Sequence, residues 1–304
     1  MRNELGLVTR LRQARSDSRL MLTGIAKARR LLLALAIASS VGILVPASTY
    51  AAAPASSDIT ATPSGQAAAT LAAQRLTSDG HPTAASSLKV IREADGTTKT
   101  MPKGMATTTG VGPSGTTVSG VVLQAPSSAT TPGSVSPMSG AQYWNQINNG
   151  CLTETKSQGW MWSCWALKKM INDGYLNNDF FFVTFDGKTH SNGSGMHYAY
   201  VETTKNSSST PLTMIDYSPA QNSSSNCWAT QITIGYILTY SWPVTECENW
   251  YAYGDPVYNP GTQYTEWVCP LCTIYNDTRE PAMIQEVETR ENGSPIWNLY
   301  YDFQ

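Results

Sequence analysis

Three residues in the C-terminal half of the chain have the types and the order that thiol catalysis requires. Cys164 lies in the stretch SQGWMWSCWALKKMINDGY, His197 follows 33 residues later, and Asp216 follows after 19 more. A cysteine thiolate acts as a nucleophile when a histidine takes its proton and a third group orients that histidine. We therefore predict that Cys164, His197 and Asp216 form a catalytic triad.

A helix is expected to position the thiol. Ser163 is a favourable N-cap residue, apolar residues recur after it at helical spacing, and Gly174 is a favourable stop. This pattern predicts a short helix over residues 164–173. In its first turn, unpaired N–H groups and the helix dipole would stabilise the thiolate of Cys164.

A hairpin is expected to bring the histidine and the carboxylate together. His197 lies on a strand-like segment, whereas His190 lies in a polar, glycine-rich loop. If residues 196–204 and 209–217 pair as a hairpin, Asp216 falls opposite His197, with about 5 Å between the Cβ atoms. A slip of one residue in this register would move Asp216 to the other face.

Most of the other segments of the C-terminal half have the alternation and the aromatic content of strands. Two of them are expected to be joined through Asn292-Gly293, a favourable turn dipeptide. The strand-like segments are DFFFVTFDG, MHYAYVETT, LTMIDY, ATQITIGYILTYSW and MIQEVETRENGSPIWNLYYDF. One early helix followed by antiparallel strands predicts the α+β fold class.

The first 138 residues differ in composition from the rest of the chain. Residues 1–53 combine a basic segment, an apolar run and small residues, which predicts a secretory signal peptide rather than a membrane anchor. Residues 54–138 are rich in Ala, Ser, Thr, Gly and Pro and too poor in apolar residues for a core of their own. They are either a flexible linker or wall spacer, or a pro-segment that is removed after export. Within them, SSLKVIREADGTTKTM is expected to hold a strand pair.

The predicted mature domain, residues 139–304, is acidic. It contains seven Lys and Arg against 16 Asp and Glu, a net charge of −9, which the value of −2 for the whole chain conceals. Nucleic acids and anionic lipids are polyanions, so neither is expected as a partner.

All the cysteines lie in this domain, at positions 151, 164, 227, 247, 269 and 272. An even number in an exported domain predicts three disulfides, with Cys164 bonded to Cys151 as one possibility. If Cys164 is catalytic instead, the five other cysteines, Cys151, Cys227, Cys247, Cys269 and Cys272, remain for disulfides and one is unpaired. The C-x-x-C of Cys269 and Cys272 favours a local structural bridge over a redox or zinc motif.

Four short motifs resemble those of secreted bacterial protein-glutaminases, which are protein-glutamine deamidases. The motifs are YWNQINNGC, SCWALKKMINDGY, MHYAYV and TTKNSSSTPLTMIDYSP, within residues 142–235. The resemblance implies a transglutaminase-like or papain-like core with its catalytic helix packed on an antiparallel sheet. It also implies that Cys164, His197 and Asp216 carry the family's triad, and that a removable pro-segment inhibits the enzyme.

The stretch QGWMWSCWA also has a spacing that resembles the nucleophile region of papain-like proteases. By this resemblance, Gln158 would help the backbone N–H of Cys164 to stabilise an oxyanion. The neighbouring Trp162 and Trp165 are candidates for the substrate groove, although core packing explains such aromatic residues equally well.

The function predicted from these features is that of a secreted, monomeric bacterial protein-glutamine deamidase. Cys164 would attack the side-chain amide of an exposed glutamine in a protein or peptide, and water would hydrolyse the resulting thioester. No metal, organic cofactor, nucleic acid or membrane partner is expected. The alternatives are a transglutaminase, a cysteine protease, and a non-catalytic secreted β-module with three disulfides that binds glycan or protein.

Overall fold

A computed structural model describes ten segments of the chain. They are residues 56–112, 115–126, 142–171, 173–175, 177–193, 196–219, 228–234, 240–246, 250–268 and 278–304. The predicted signal peptide and Cys227, Cys247, Cys269 and Cys272 lie outside the described residues.

The described residues contain one α-helix, α1 (Pro63–Ser78), one short 3₁₀-helix (Ala85–Ser87) and sixteen β-strands. The first eight strands are β1 (Ser57–Asp58), β2 (Leu88–Arg92), β3 (Thr98–Pro102), β4 (Thr107–Val111), β5 (Thr117–Gln124), β6 (Tyr143–Lys156), β7 (Gly159–Ile171) and β8 (Asn178–Ser191). The others are β9 (Tyr198–Lys205), β10 (Leu212–Ser218), β11 (Trp228–Ile234), β12 (Tyr240–Glu246), β13 (Trp250–Gly254), β14 (Gln263–Val268), β15 (Ala282–Arg290) and β16 (Ile296–Phe303).

These strands form two large antiparallel sheets and one hairpin. Sheet A has eight strands in the order β1-β2-β3-β6-β7-β8-β15-β10, and sheet B has six in the order β13-β14-β9-β16-β5-β4. Strands β11 and β12 pair with each other. Helix α1 packs on the outer face of sheet A, where it contacts β2 and β3 and its Leu76 joins a cluster with Trp162 of β7.

The main hydrophobic core lies between the two sheets. Its members come from alternate positions of strands in both sheets, as expected when two sheets pack face to face. Sheet A contributes Trp165, Phe181, Val183, Phe185, Met283 and Val287, and sheet B contributes Val201, Trp267, Trp297, Leu299 and Phe303. The fold is therefore a β-sandwich, and the predicted α+β class with a transglutaminase-like or papain-like core is wrong.

The helix predicted over residues 164–173 is also wrong, because this segment belongs to strand β7. Its side chains alternate between two buried faces: Met161 and Trp165 enter the main core, whereas Trp162 and Cys164 pack against α1. Apolar residues on both faces produce a nearly continuous apolar run, from which periodicity cannot separate strand from helix. Pairing with β6 and β8 along most of its length decides in favour of the strand.

The predicted hairpin of residues 196–204 and 209–217 does not form. Both segments are strands, but β9 lies in sheet B between β14 and β16, whereas β10 pairs with β15 at an edge of sheet A. The chain crosses from one sheet to the other between them. The two strands joined through Asn292-Gly293 are likewise present, as β15 and β16, and likewise belong to different sheets.

Residues 56–126 belong to the same β-sandwich as the C-terminal half. The predicted strand pair is confirmed as the β2–β3 hairpin, and β3 extends sheet A by pairing with β6. Strand β5 pairs with β16 of sheet B and places Val121 and Leu123 in the main core. Removal of this region after export stays a prediction, and it would strip strands from both sheets.

Candidate functional site

The sulfur of Cys164 is bonded to that of Cys151. The two cysteines lie directly opposite each other on β7 and β6, with an S–S distance of 2.03 Å and a Cα–Cα distance of 4.0 Å. Cys164 is only 6% exposed. The prediction of a disulfide is confirmed for this pair, and a bonded sulfur is not a nucleophile.

The structure does not bring the predicted triad together. His197 precedes β9 of sheet B, and its backbone N–H donates to the carbonyl oxygen of Gln304, the residue after β16. Asp216 lies on β10, where its Oδ1 accepts from the backbone N–H of Tyr217. Strand β10 is three positions from β7 in sheet A, so Asp216 is at least about 14 Å from Cys164.

The other predicted site residues are also dispersed. Gln158 lies in the turn between β6 and β7, six residues from Cys164 and thus about 20 Å along the strand. Trp165 belongs to the main core, and its Nε1 donates to Asn148. Trp162 shares the face of Cys164 but is only 6% exposed under α1. Trp165 lines a small cavity together with Cys164, whereas Gln158 and Trp162 do not border it.

The end of α1 covers this face of sheet A. Asp79 accepts hydrogen bonds on Oδ2 from Trp162 Nε1 at 2.6 Å and from His190 Nε2 at 2.7 Å. The His190 ring stacks on Trp160 at 4.1 Å, and the Arg75 guanidinium lies 4.7 Å from the Trp160 ring centre. Burial lowers the pKa of His190, although the Asp79 carboxylate opposes this shift. These contacts join the N-terminal region tightly to β7 and β8.

A second site is a group of aromatic and acidic residues on the outer face of sheet B. We call Tyr251, Tyr253, Tyr264, Glu202 and Glu266 the tyrosine platform. Across the sheet, Tyr251 lies opposite Glu266, Tyr253 opposite Tyr264, and Tyr264 opposite Glu202. Directly opposed residues point to the same face. The other face of β14 is buried in the sandwich, so the platform faces outward.

The platform contains two exposed tyrosines and one that is partly buried. Tyr251 and Tyr253 are 41% and 46% exposed, and the Tyr253 and Tyr264 rings stack with their centres 5.6 Å apart. Of the eight exposed large hydrophobic side chains of the described residues, four lie between positions 251 and 258, including Tyr258 at 86%. Clustered exposure of this kind marks a binding surface more often than scattered exposure does.

The two carboxyl groups of the platform are held in a weakly solvated setting. Burial, with a further contribution from the charge of Glu266, raises the pKa of Glu202 from 4.5 to about 7. Burial also raises the pKa of Glu266. Near neutral pH the platform therefore carries less negative charge than its composition indicates, and Glu202 can either donate or accept a hydrogen bond.

From the sequence, Trp162 and Trp165 were candidates for a substrate groove, and the platform tyrosines were not recognised. The stretch WYAYGDP carried the relevant signal, because it places Tyr251 and Tyr253 two residues apart before a turn. Such spacing puts both rings on one face of a strand. Tyr264 and Glu202 join this surface because β13 pairs with β14 and β14 pairs with β9. The sequence does not reveal this long-range pairing.

Replacement of Glu202 by glutamine should reduce the pH dependence of stability. The folded state holds the Glu202 proton up to about pH 7, whereas an unfolded chain releases it near 4.5, so stability falls as the pH rises through that interval. We expect the melting temperature of the wild type to fall between pH 5 and pH 7, and that of Glu202→Gln to fall less. Glu291→Gln, at an exposed carboxylate, is the matched control. Equal slopes for Glu202→Gln and the wild type would contradict the assignment.

Comparison with known protein families and curated sequences found no relative of the chain. No protein-family model matches the chain, and no curated protein sequence is significantly similar to it. The resemblance to protein-glutaminases therefore still depends on the four short motifs alone.

The apolar run of the predicted signal peptide lies outside the described residues. Within those ten segments, no helix has the length and apolar character needed to cross a bilayer.

Proposed function

We propose that this protein is a non-catalytic, exported binding module, stabilised by disulfides, whose tyrosine platform recognises neutral glycans. The observation that carries the proposal is the clustering of exposed tyrosines beside two glutamates on one face of sheet B. The bonded sulfur of Cys164 supports binding over thiol catalysis.

The chemistry of the platform favours a sugar ligand. Tyrosine rings present flat apolar faces that pack against the C–H faces of a pyranose ring, and their hydroxyl groups can hydrogen-bond at the edge. Glu202 and Glu266 lie within the same surface and can accept hydrogen bonds from sugar hydroxyls. The net negative charge of the C-terminal half disfavours polyanionic ligands, so a neutral chain is expected.

A protein partner is less well supported. A specific protein interface buries about 800 Å² on each partner around an apolar centre. The platform offers two exposed tyrosines beside Glu202 and Glu266, its neighbour Tyr200 is buried, and the exposed Val257 and Tyr258 lie in the turn after β13. This arrangement suits one or two stacked sugar rings better than a broad interface.

Deamidation by the predicted triad requires a different arrangement of the chain. The Cys151–Cys164 bond would have to be reduced, and residues on two sheets would have to meet at Cys164. The motifs that suggested this activity lie on β6, β7, β9 and β10, where they account for strand packing and for the disulfide. Binding is therefore the function that the geometry supports best.

Truncation of the platform tyrosines should weaken glycan binding. We expect at least one of cellohexaose, chitohexaose and mannohexaose to bind in isothermal titration calorimetry, and heparin not to bind. Tyr251→Ala and Tyr253→Ala should each raise the Kd at least about tenfold, because each removes a stacking surface at the centre of the contact.

Tyr143→Ala is the matched control, since Tyr143 is 51% exposed but lies on sheet A. It should leave the Kd unchanged. Equal Kd values for all three variants would place the glycan elsewhere. Binding of a lysine-rich peptide but of no oligosaccharide would replace the proposed ligand class by a cationic one.

A further inference from the structure

A small cavity lies beside the disulfide on the outer face of sheet A. Its volume is about 270 Å³, and its lining includes His81, Cys151, Cys164 and Asp186. One ring nitrogen of His81 and the two sulfur atoms all lie within 4.8 Å of one another. Asp186 is the residue opposite Cys164 on β8, so its side chain shares the face of the disulfide. Histidine, cysteine and aspartate are the residue types that bind zinc.

The end of α1 fixes His81 in this position. Gly80 adopts a φ of +91°, its N–H donates to Thr77, and the N–H of His81 donates to Leu76 at 2.8 Å. These two hydrogen bonds define a Schellman motif, a common and specific helix ending. The His81 ring then packs edge-on against Trp162, with the ring centres 4.4 Å apart. The imidazole is therefore held over the disulfide by backbone and side-chain contacts.

Both titratable side chains of the cavity are shifted towards their neutral forms. Burial lowers the pKa of His81, which favours the neutral imidazole, the form that binds metals. Burial and the charge of Glu280 raise the pKa of Asp186 well above its usual range. A bound cation would reverse that shift, because it would stabilise the ionised carboxylate.

We propose that reduction of the Cys151–Cys164 bond creates a metal site for a borderline-soft divalent cation such as zinc. The ligands would be the two thiolates and the His81 imidazole, and the Asp186 carboxylate, which lies outside that 4.8 Å cluster, would rotate towards the metal to complete the site. A dithiol supplies two electrons and two protons to the disulfide and becomes a cyclic disulfide itself. The metal then displaces one proton from each thiol as the Zn–S bonds form. This site is independent of the tyrosine platform, which lies on the other sheet.

The dimensions are compatible with tetrahedral coordination. Zn–S bonds of about 2.3 Å and Zn–N bonds of about 2.0 Å place neighbouring ligand atoms roughly 3.5–3.8 Å apart. Once the disulfide is reduced, rotation of the two side chains, which project from directly opposed positions of β6 and β7, can bring the sulfur atoms to this separation. His81 needs no larger movement, because its nitrogen already lies within 4.8 Å of both sulfur atoms.

The test uses the full chain and cobalt as a spectroscopic substitute for zinc. The protein is reduced with dithiothreitol, freed of it by anaerobic gel filtration, and titrated with Co²⁺. We expect thiolate-to-cobalt charge-transfer absorption and the visible bands of a tetrahedral site in the reduced chain, and neither in the oxidised chain. Cys151→Ala/Cys164→Ala should lose these bands, whereas Cys269→Ala/Cys272→Ala should keep them.

Two histidine substitutions, one inside and one outside the cavity, distinguish an effect on metal binding from an effect on folding. His81→Ala should weaken Co²⁺ binding more than about tenfold, because loss of a ligand should cost at least as much as loss of a group that supports one. His197→Ala, the same change at a residue outside the cavity, should not alter binding. Bands that persist in the Cys151/Cys164 variant, or equal affinities for the two histidine variants, would overturn the proposal.

Discussion

Simultaneous replacement of Cys151 and Cys164 by alanine should lower the free energy of unfolding by about 3 kcal/mol, since a disulfide that closes a short loop has about that effect. The bond joins residues 13 apart on paired strands. Urea denaturation monitored by tryptophan fluorescence measures the loss. Wild type unfolded in the presence of dithiothreitol should lose at least as much, because the reductant breaks this bond and any other disulfide of the chain.

The same proteins decide between binding and thiol catalysis. If the disulfide is the native state of Cys164, the wild type should release no ammonia from casein. Ammonia release by the wild type that disappears in Cys164→Ala would contradict the proposed function and would support the deamidase predicted from the motifs. Cross-linking of casein with an added amine would instead indicate a transglutaminase, and peptide cleavage would indicate a protease.

The sequence predicted the strands better than it predicted their partners. The segments at 178–191, 198–205, 282–290 and 296–303 are strands, as their alternation and aromatic content indicated. Alternation of apolar and polar residues indicates only that a segment is a strand with two different faces. Which sheet a strand joins depends on contacts between residues far apart in sequence, such as the pairing of β9 with β14 and β16.

The helix and the hairpin that were expected to position the triad are wrong for the same physical reason. Its helix relied on the spacing of three apolar residues in a segment that is buried on both faces. Its hairpin relied on sequence proximity, but β9 and β10 are separated by a crossing between sheets. The even cysteine count was the better guide, because it predicted disulfides without any assumption about secondary structure.

The composition of residues 54–138 predicted that this region has no substantial core of its own, but not that it pairs with the C-terminal half. These residues are poor in apolar side chains, and the small cluster under α1 consists mainly of alanines with Leu88 and Val90. They contribute to the fold chiefly by pairing with strands of the C-terminal half and by placing charges against it. Lys99 of β3 lies 3.5 Å from Glu154 of β6, and Arg75 of α1 donates to Thr155. A protease that removed this region would expose β6 and leave Glu154 without one of its two cations.

Replacement of Lys99 by methionine should therefore be the most damaging single change considered. Lys99 is only 3% exposed, and its Nζ lies 3.5 Å from one carboxylate oxygen each of Glu93 and Glu154. Methionine keeps most of the volume but leaves Glu154 with Lys156 alone, 3.3 Å away, of the two cations that contact it. Removing one partner of a buried ion pair costs about 3–5 kcal/mol, because the remaining charge is uncompensated. Urea denaturation at pH 8 measures the loss.

Measurements at a second pH and two further variants test whether lost charge pairing is the cause of that loss of stability. Burial raises the pKa of Glu154 to about 7, so at pH 5 this carboxyl is protonated and the loss for Lys99→Met should be smaller than at pH 8. Adding Glu154→Gln to Lys99→Met should recover part of the stability at pH 8. Lys89→Met is the matched control in the same hairpin: Lys89 pairs with the exposed Asp58, and its loss should change stability little. Equal losses for Lys89→Met and Lys99→Met, or a loss for Lys99→Met that does not change with pH, would show that lost packing outweighs the buried charge.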